Sequence, residues 1–387
     1  MRSLTWDQVN AWRLAQHGLS PRLKRQDFVE AVTRTGGIQA QVMSAAELAV
    51  WARVDGLTRE DVQSALWKDR ALVKTWAMRG TLHLISAGEL PLYVAARSVN
   101  DNRGWGHYAY FGLTAAQYDA FLAAVPQVLS SEPMTREQFT TAVAAHLEDP
   151  ELGRILLASS WGSLFKPSAF RGDLCFGPSQ GRNVTFVNPG RWINLQAEQN
   201  GQPVEPHLAL QEIARRYLKA YGPAKPEDFA LWWWGGGGIS QARKVFKSLE
   251  DEMEEVDVEG WRGLALRATI ESMEESEVSG SVNLLPLFDA YVLGTGRNIE
   301  PILPRAYKNQ VFRPQGWITA VVLVDGYMKG VWDYTTERAQ RVLKVRMFST
   351  TPPAALVREG IEAEAERLAA FLNTKVVLEY KENQQHG

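Results

Sequence analysis

Apolar residues along this chain follow two rhythms, one of three to four residues up to about Thr269 and one of two residues after about Glu277. In the first region, helical segments are followed three times by a short alternating pair. Thr5 and Gln8 have the spacing of a capping box, opening a helix that sets Trp6, Val9 and Trp12 on one face. RQDFVEAV, AAELAVWARV and REDVQSALW predict further helices, and LVKTWAM with TLHLIS predicts a hairpin across Arg79-Gly80. The cap signal returns at Thr114 and at Thr135, ahead of LGRILLASSWGSLF and the strands DLCF and NVTFV joined by GPSQGR. A third stretch runs LALQEIARRYLKAYG, PEDFALWWW, a glycine break, ISQARKVFKSLEDEM and the strands EVDV and LALRA around EGWRG.

Helices followed by a hairpin spell a winged helix. The expected fold class is therefore α+β, with three tandem winged-helix units at 1–95, 112–195 and 205–272 lining a concave DNA-binding surface. The period-two segments SVNLLPLFDAYVLG, WITAVVLVDGYMKGVWDY and RVLKVRMF, with the helix AALVREGIEAEAERLAAFL and the strand KVVLEY, predict a β-rich, small barrel-like domain over 278–381. Its Asp325-Gly326 hairpin, between Val321 and Trp332, is a ribbon of the kind that can probe a groove.

Composition narrows the chemistry. At 387 residues, 45% hydrophobic and 22% charged, the chain has ample material for several cores. Its single cysteine, Cys175, excludes an internal disulfide and any CxxC site, which fits a reducing compartment. MRSLTWDQVNAW lacks a signal-peptide core, and no stretch approaches the ~18 apolar residues of a membrane span. The expectation is a cytoplasmic protein, nucleoid-associated when bound to DNA, that works as a monomer without a membrane. Net charge is −2, so attraction to a polyanion must be local. From Leu152 to Trp192 the charges are Arg154, Lys166, Arg171, Arg182 and Arg191 against Asp173 alone, while Glu250 to Glu259 is dominated by acids. Lys166, Arg171 and Arg182, with Arg79, His83 and Arg297, are the candidate DNA-binding residues.

Familiar catalytic signatures are missing. Gly235–Gly238 lacks the Lys-Ser or Lys-Thr of a phosphate loop and reads as a turn between helices. The six histidines contain no HExxH and no close pair, and there is no GxSxG, so neither a metal nor a cofactor is expected. His83 also reads as a structural histidine. GGIQAQ, Gly36 to Gln41, differs: residues two apart diverge on a helix but project to one side of an extended segment, which the glycines permit. Two solvated loop amides are the plainer reading.

GGIQAQ followed by a helix, the hairpin TWAMRGTLHLIS, and the later LLPLFDAYVLGTGR and VVLVDGYMKGVWD together resemble the winged-helix DNA glycosylases of the AlkZ-like type, over nearly the whole chain. That family carries a glutamine-apolar-glutamine catalytic signature, which Gln39-Ala40-Gln41 matches at both glutamines. A related branch has aspartate in the second position. The resemblance thus implies the branch acting on bulky alkylguanines and azinomycin-type interstrand crosslinks, and a partner that is double-stranded DNA carrying alkylated or crosslinked bases. One departure is the family's acidic residue after this point, where Gly294-Thr295-Gly296-Arg297-Asn298 stands.

An amide has no useful pKa and cannot be a general base, but it orients water and faces a developing cation. N7 alkylation already makes guanine a good leaving group. The expectation is a metal-independent monofunctional glycosylase that excises cationic N7-alkylguanine and unhooks crosslinks with Gln39 and Gln41. The alternatives are a winged-helix transcriptional regulator without chemistry, for which the chain shows no heptad dimer seam, and a structural interaction module.

Overall fold

A computed structural model describes residues 2–99, 107–193, 204–295, 300–337, 340–349 and 353–381. The chain groups into two compact units, Met1–Val62 with Ala214–Gly387, and Gln63–Ile213, so segment 1–95 contributes to both. All three T-x-x-Q signals are reciprocal capping boxes. The amide N–H of Gln8, Gln117 and Gln138 donates to Thr5, Thr114 and Thr135 Oγ1 at 3.2, 3.2 and 3.3 Å. The threonine N–H donates back to the glutamine Oε1 at 2.9, 3.1 and 2.8 Å. Each pair satisfies two donors that a bare helix start leaves without partners.

Helix Pro206–Tyr221 enters the first unit at Ala214, and helices Pro226–Trp234 and Ile239–Ser248 follow ahead of the hairpin Met253–Val258 and Trp261–Leu266. The third helix stops at Ser248, short of the expected LEDEM run. Glu250–Glu252 forms a 3₁₀ turn instead, because three adjacent carboxylates oppose the negative end of a helix and buried Met253 belongs to the sheet. Arg2–Leu4 adds a parallel third strand to this hairpin, and Trp6 packs on Trp261 with ring centroids 5.6 Å apart.

The C-terminal sheet runs in the order Val282–Leu285, Val321–Val324, Tyr327–Glu337, Gln340–Met347, Lys375–Tyr380. Its end strands do not pair with each other, so it is a half-barrel, with helix Ala355–Leu372 packed against both of them. Two expectations change here. SVNLLPLFDAYVLG is not one strand: after Leu285 the chain turns, and Ala290–Gly294 is helical because the Asp289 carboxylate accepts from Tyr291 N–H at 2.9 Å and caps it. Nor is the Asp325-Gly326 turn a free probe. Gly326 is buried, its carbonyl accepts from the Tyr291 hydroxyl at 3.0 Å, and Asp325 holds Ser281 N–H at 2.8 Å.

In the second unit, hairpin Leu72–Trp76 and Leu82–Ser86 is followed by helices Ala115–Val128, Arg136–His146 and Pro150–Ala158 and by strands Cys175–Gln180 and Asn183–Val187. The second hairpin's turn is Gly181-Arg182, tighter than the expected GPSQGR loop, since a bulge between Gly177 and Gln180 lets the strand continue through Gln180. Phe121, Phe139, Phe165, Phe186 and Trp76 share the core. Among the described residues, no helix is long and apolar enough to cross a membrane.

Candidate active site

The Gln39-Ala40-Gln41 segment follows a helix stop. Helix Phe28–Arg34 ends in Gly36 and Gly37, with φ of 67° and 98°, whose N–H groups return to Thr33 and Val32 carbonyls at 3.0 and 2.9 Å. Both residues occupy the left-handed region that glycine tolerates best. A strand forms over Ile38–Gln39, and after Ala40 a bend at Gln41-Val42, with Val42 in the extended region, leads into helix Met43–Trp51. Gln39 is 7% exposed, whereas Gln41 lies beyond the strand and is exposed.

Both flanks are held within the first unit. Upstream, the Tyr221 hydroxyl donates to the Thr35 carbonyl at 2.7 Å. A Cβ on Gly294 would lie 2.0 Å from the Tyr221 ring, so Gly294 supplies the space in which that ring sits. Downstream, just past helix Met43–Trp51, the fully buried Arg53 guanidinium forms a fork with Asp289, both contacts at 2.8 Å, and donates to the Ala49 carbonyl at 2.7 Å. His17 stands 3.5 Å from Arg53 and pairs with the Ala220 carbonyl at 3.2 Å. Burial, with the Arg53 charge second, holds its pKa well below the ordinary value, so the ring is neutral at pH 7.

The model of the DNA glycosylase AlkZ-like family matches residues 32–371. The interstrand DNA cross-link repair glycosylase of Streptomyces sahachiroi is 35% identical over 372 residues, covering 94% of this chain and 96% of that protein. The structure of the DNA glycosylase AlkZ of S. sahachiroi aligns with a TM-score of 0.85 at 33% identity, over 98% of this chain and 100% of that one. This chain belongs to the AlkZ-like DNA glycosylase family.

Its relatives are named as enzymes, which disfavours the reading as a regulator without chemistry. The remaining candidate residues of the glycosylase fall into three groups. Arg79 and His83 meet, with Arg79 Nη2 donating to His83 Nε2 at 3.2 Å while His83 Nδ1 pairs with the Thr81 carbonyl at 2.9 Å. His83 is 1% exposed, and burial followed by the Arg79 charge lowers its pKa to about 3. It holds Arg79 rather than offering a proton. Arg171 and the turn residue Arg182 are exposed and Lys166 is half-buried. Beside them burial pushes Asp173 up to about 6 despite the opposing Arg171 charge. Arg297 lies outside the described residues. Among the described residues, no cluster of three His, Cys, Asp or Glu side chains has the arrangement of a metal site.

Thr35, Tyr221, Arg53 and Asp289 are not singled out by the sequence pattern. A cation inside the apolar run AAELAVWARV and a carboxylate inside LLPLFDAYVLG are the signals that could have found two of them, since a buried charge is costly unless it is paired.

Proposed function

We propose that this glycosylase hydrolyses the N-glycosidic bond of cationic N7-alkylguanine in duplex DNA and unhooks interstrand crosslinks made through that atom. In this reading the three helix-plus-hairpin segments, 1–95, 112–195 and 205–272, work as winged helices ahead of the β-rich 278–381 domain. Arg79, Lys166, Arg171, Arg182 and Arg297 contact phosphates, and the protein acts as a monomer without a metal. Gln41, exposed at the bend, meets the substrate, and buried Gln39 fixes the geometry beside it. A water oxygen bonds to C1′ as the C1′–N9 bond breaks. The bonding electrons neutralise the cationic purine, and the water's proton passes to solvent. Because the leaving group is already activated, oriented amide oxygens facing the developing oxocarbenium ion are sufficient.

The observation that carries this reading is an uncharged Gln-Ala-Gln segment whose flanking elements are anchored, by the Tyr221–Thr35 contact before it and by the Arg53–Asp289 pair after the helix that follows it. Preorganised dipoles stabilise charge without the cost of reorienting during the reaction. The crosslink-repair activity for which the S. sahachiroi relative is named adds the substrate context. The test is single-turnover incubation with duplex containing one 7-methylguanine and, in parallel, with an N7-linked interstrand crosslink. Release of the free base and of separable strands is expected. If both substrates come back intact, the assignment is wrong.

A further inference from the structure

The half-barrel carries a cavity of about 440 Å³ lined by residues with no part in the Gln39 and Gln41 site. Its volume lies within the ~300–1,000 Å³ of pockets that hold small organic ligands. One wall is sheet. Val331 pairs with Arg346 and Asp333 with Lys344 across antiparallel strands, and alternate residues share a face, so Lys344 and Arg346 stand side by side over Val331 and Asp333. Lys381 follows the neighbouring parallel strand, its N–H donating to the Val345 carbonyl at 2.8 Å. The facing wall comes from the 310–319 stretch and contributes Gln310, Arg313, Trp317 and Thr319.

Four cations thus line a cavity with one carboxylate, Asp333. Lys381 is paired with Glu379 at 2.7 Å, and Lys344 lies 3.1 Å from Thr335 Oγ1 and 4.0 Å from Glu337. Arg313 and Arg346 form no ion pair among the described residues. Arg346 Nε, Gln310 Oε1 and Thr319 Oγ1 are all buried without a hydrogen-bond partner there. The indole of Trp317 is 42% exposed, its ring set edgewise to Phe288 at 5.0 Å. Cationic donors suit a phosphate, an amide oxygen awaiting a donor suits a base N–H or a sugar hydroxyl, and an exposed indole suits a flat ring.

We propose that this cavity is a nucleotide site, taking one phosphate on Arg313, Arg346 and Lys344 and the attached base against Trp317. A simple inorganic anion would use only the cations and leave Trp317 and Gln310 idle. The nucleotide comes either free or as one unit of a DNA strand, and the two sources share this chemistry. Neither Gln39 nor Gln41 lines the cavity, so the site is independent of the chemistry assigned to them.

The test is isothermal titration of the full chain with 2′-deoxyguanosine 5′-monophosphate, inorganic phosphate and an undamaged single-stranded octanucleotide. The mononucleotide is expected to bind with a dissociation constant on the order of 0.1–1 mM, about tenfold or more tighter than phosphate alone. Arg313→Gln and Trp317→Ala, both at exposed residues and therefore safe for folding, should each weaken the mononucleotide about fivefold or more. Arg346→Gln should do the same. If the octanucleotide gains affinity over the mononucleotide and Trp317→Ala removes that gain, the occupant is a strand; equal affinities assign a free nucleotide. Mononucleotide binding no tighter than phosphate, or unchanged in both exposed-residue variants, overturns the site.

Discussion

Residues 206–266 and 115–187 both set helices before a hairpin closed by a two-residue turn, but they treat their cations in opposite ways. In the former, Arg215 and Arg243 pair with Glu252 and Glu227 at 2.8 and 2.6 Å, Lys247 pairs with Glu250, and Glu254 is paired at 3.0 Å with Arg267 just beyond the hairpin. In the latter, Arg154 pairs with Glu151, yet Lys166, Arg171 and Arg182 form no ion pair among the described residues. Exposed pairs contribute little to stability, ~0–1 kcal/mol each. Their consequence is for the local field: the paired cations of one segment are offset at close range, while in the proposed DNA contact Lys166, Arg171 and Arg182 of the other meet phosphates. A shared backbone plan therefore says little about which segment binds DNA.

The largest expected effect comes from removing the available charge. Lys166→Ala, Arg171→Ala and Arg182→Ala together should lower the slope of log affinity against log salt by ~2.7, at ~0.9 for each phosphate that is no longer neutralised. Duplex binding measured from about 50 to 300 mM salt would check it, and an unchanged slope would move the DNA surface elsewhere. A smaller effect is expected from releasing the paired cations. Glu227→Gln, Glu250→Gln and Glu252→Gln should steepen the slope by ~0.9, the equivalent of one further phosphate, if the 206–266 segment approaches the duplex. No change would show that it does not.

The smallest effect is a pH dependence. Asp173, with a pKa of about 6, is charged above that pH and neutral below it, so the basic segment becomes more positive as pH falls from 7.5 to 5.5. Duplex affinity should rise over that range by less than roughly tenfold, and Asp173→Asn should abolish the rise. The stability sign is the same. The folded carboxyl binds its proton more tightly than an unfolded one, so its contribution is largest at low pH and is lost as pH climbs towards 6.

Local features of the fold were readable because local chemistry makes them. The Thr5, Thr114 and Thr135 caps need only a threonine and a glutamine three residues later. Long-range decisions were not readable. Arg53 and Asp289 lie 236 residues apart, and nothing near either names its partner. The same pair explains the misread strand, since the alternation in LFDAYVLG suggested extension until Asp289 turned it into a capped helix. Gln39 and Gln41 were visible as a pair, but not that the first is buried and the second exposed at a bend. The buried Asp325-Gly326 turn depended on Tyr291 and Ser281 from other segments.

In the proposed mechanism positioned amides, not a titrating side chain, carry the reaction. Buried His83, with its pKa lowered to about 3, would not supply an acidic limb to the profile. The decisive measurement is the single-turnover rate of 7-methylguanine release at saturating enzyme from about pH 6 to 9, for the wild type and for Gln39→Ala and Gln41→Ala. A flat wild-type profile is predicted, with each alanine variant slower by ~10²-fold or more while duplex affinity holds. A bell-shaped wild-type profile together with two fully active alanine variants would contradict the claim.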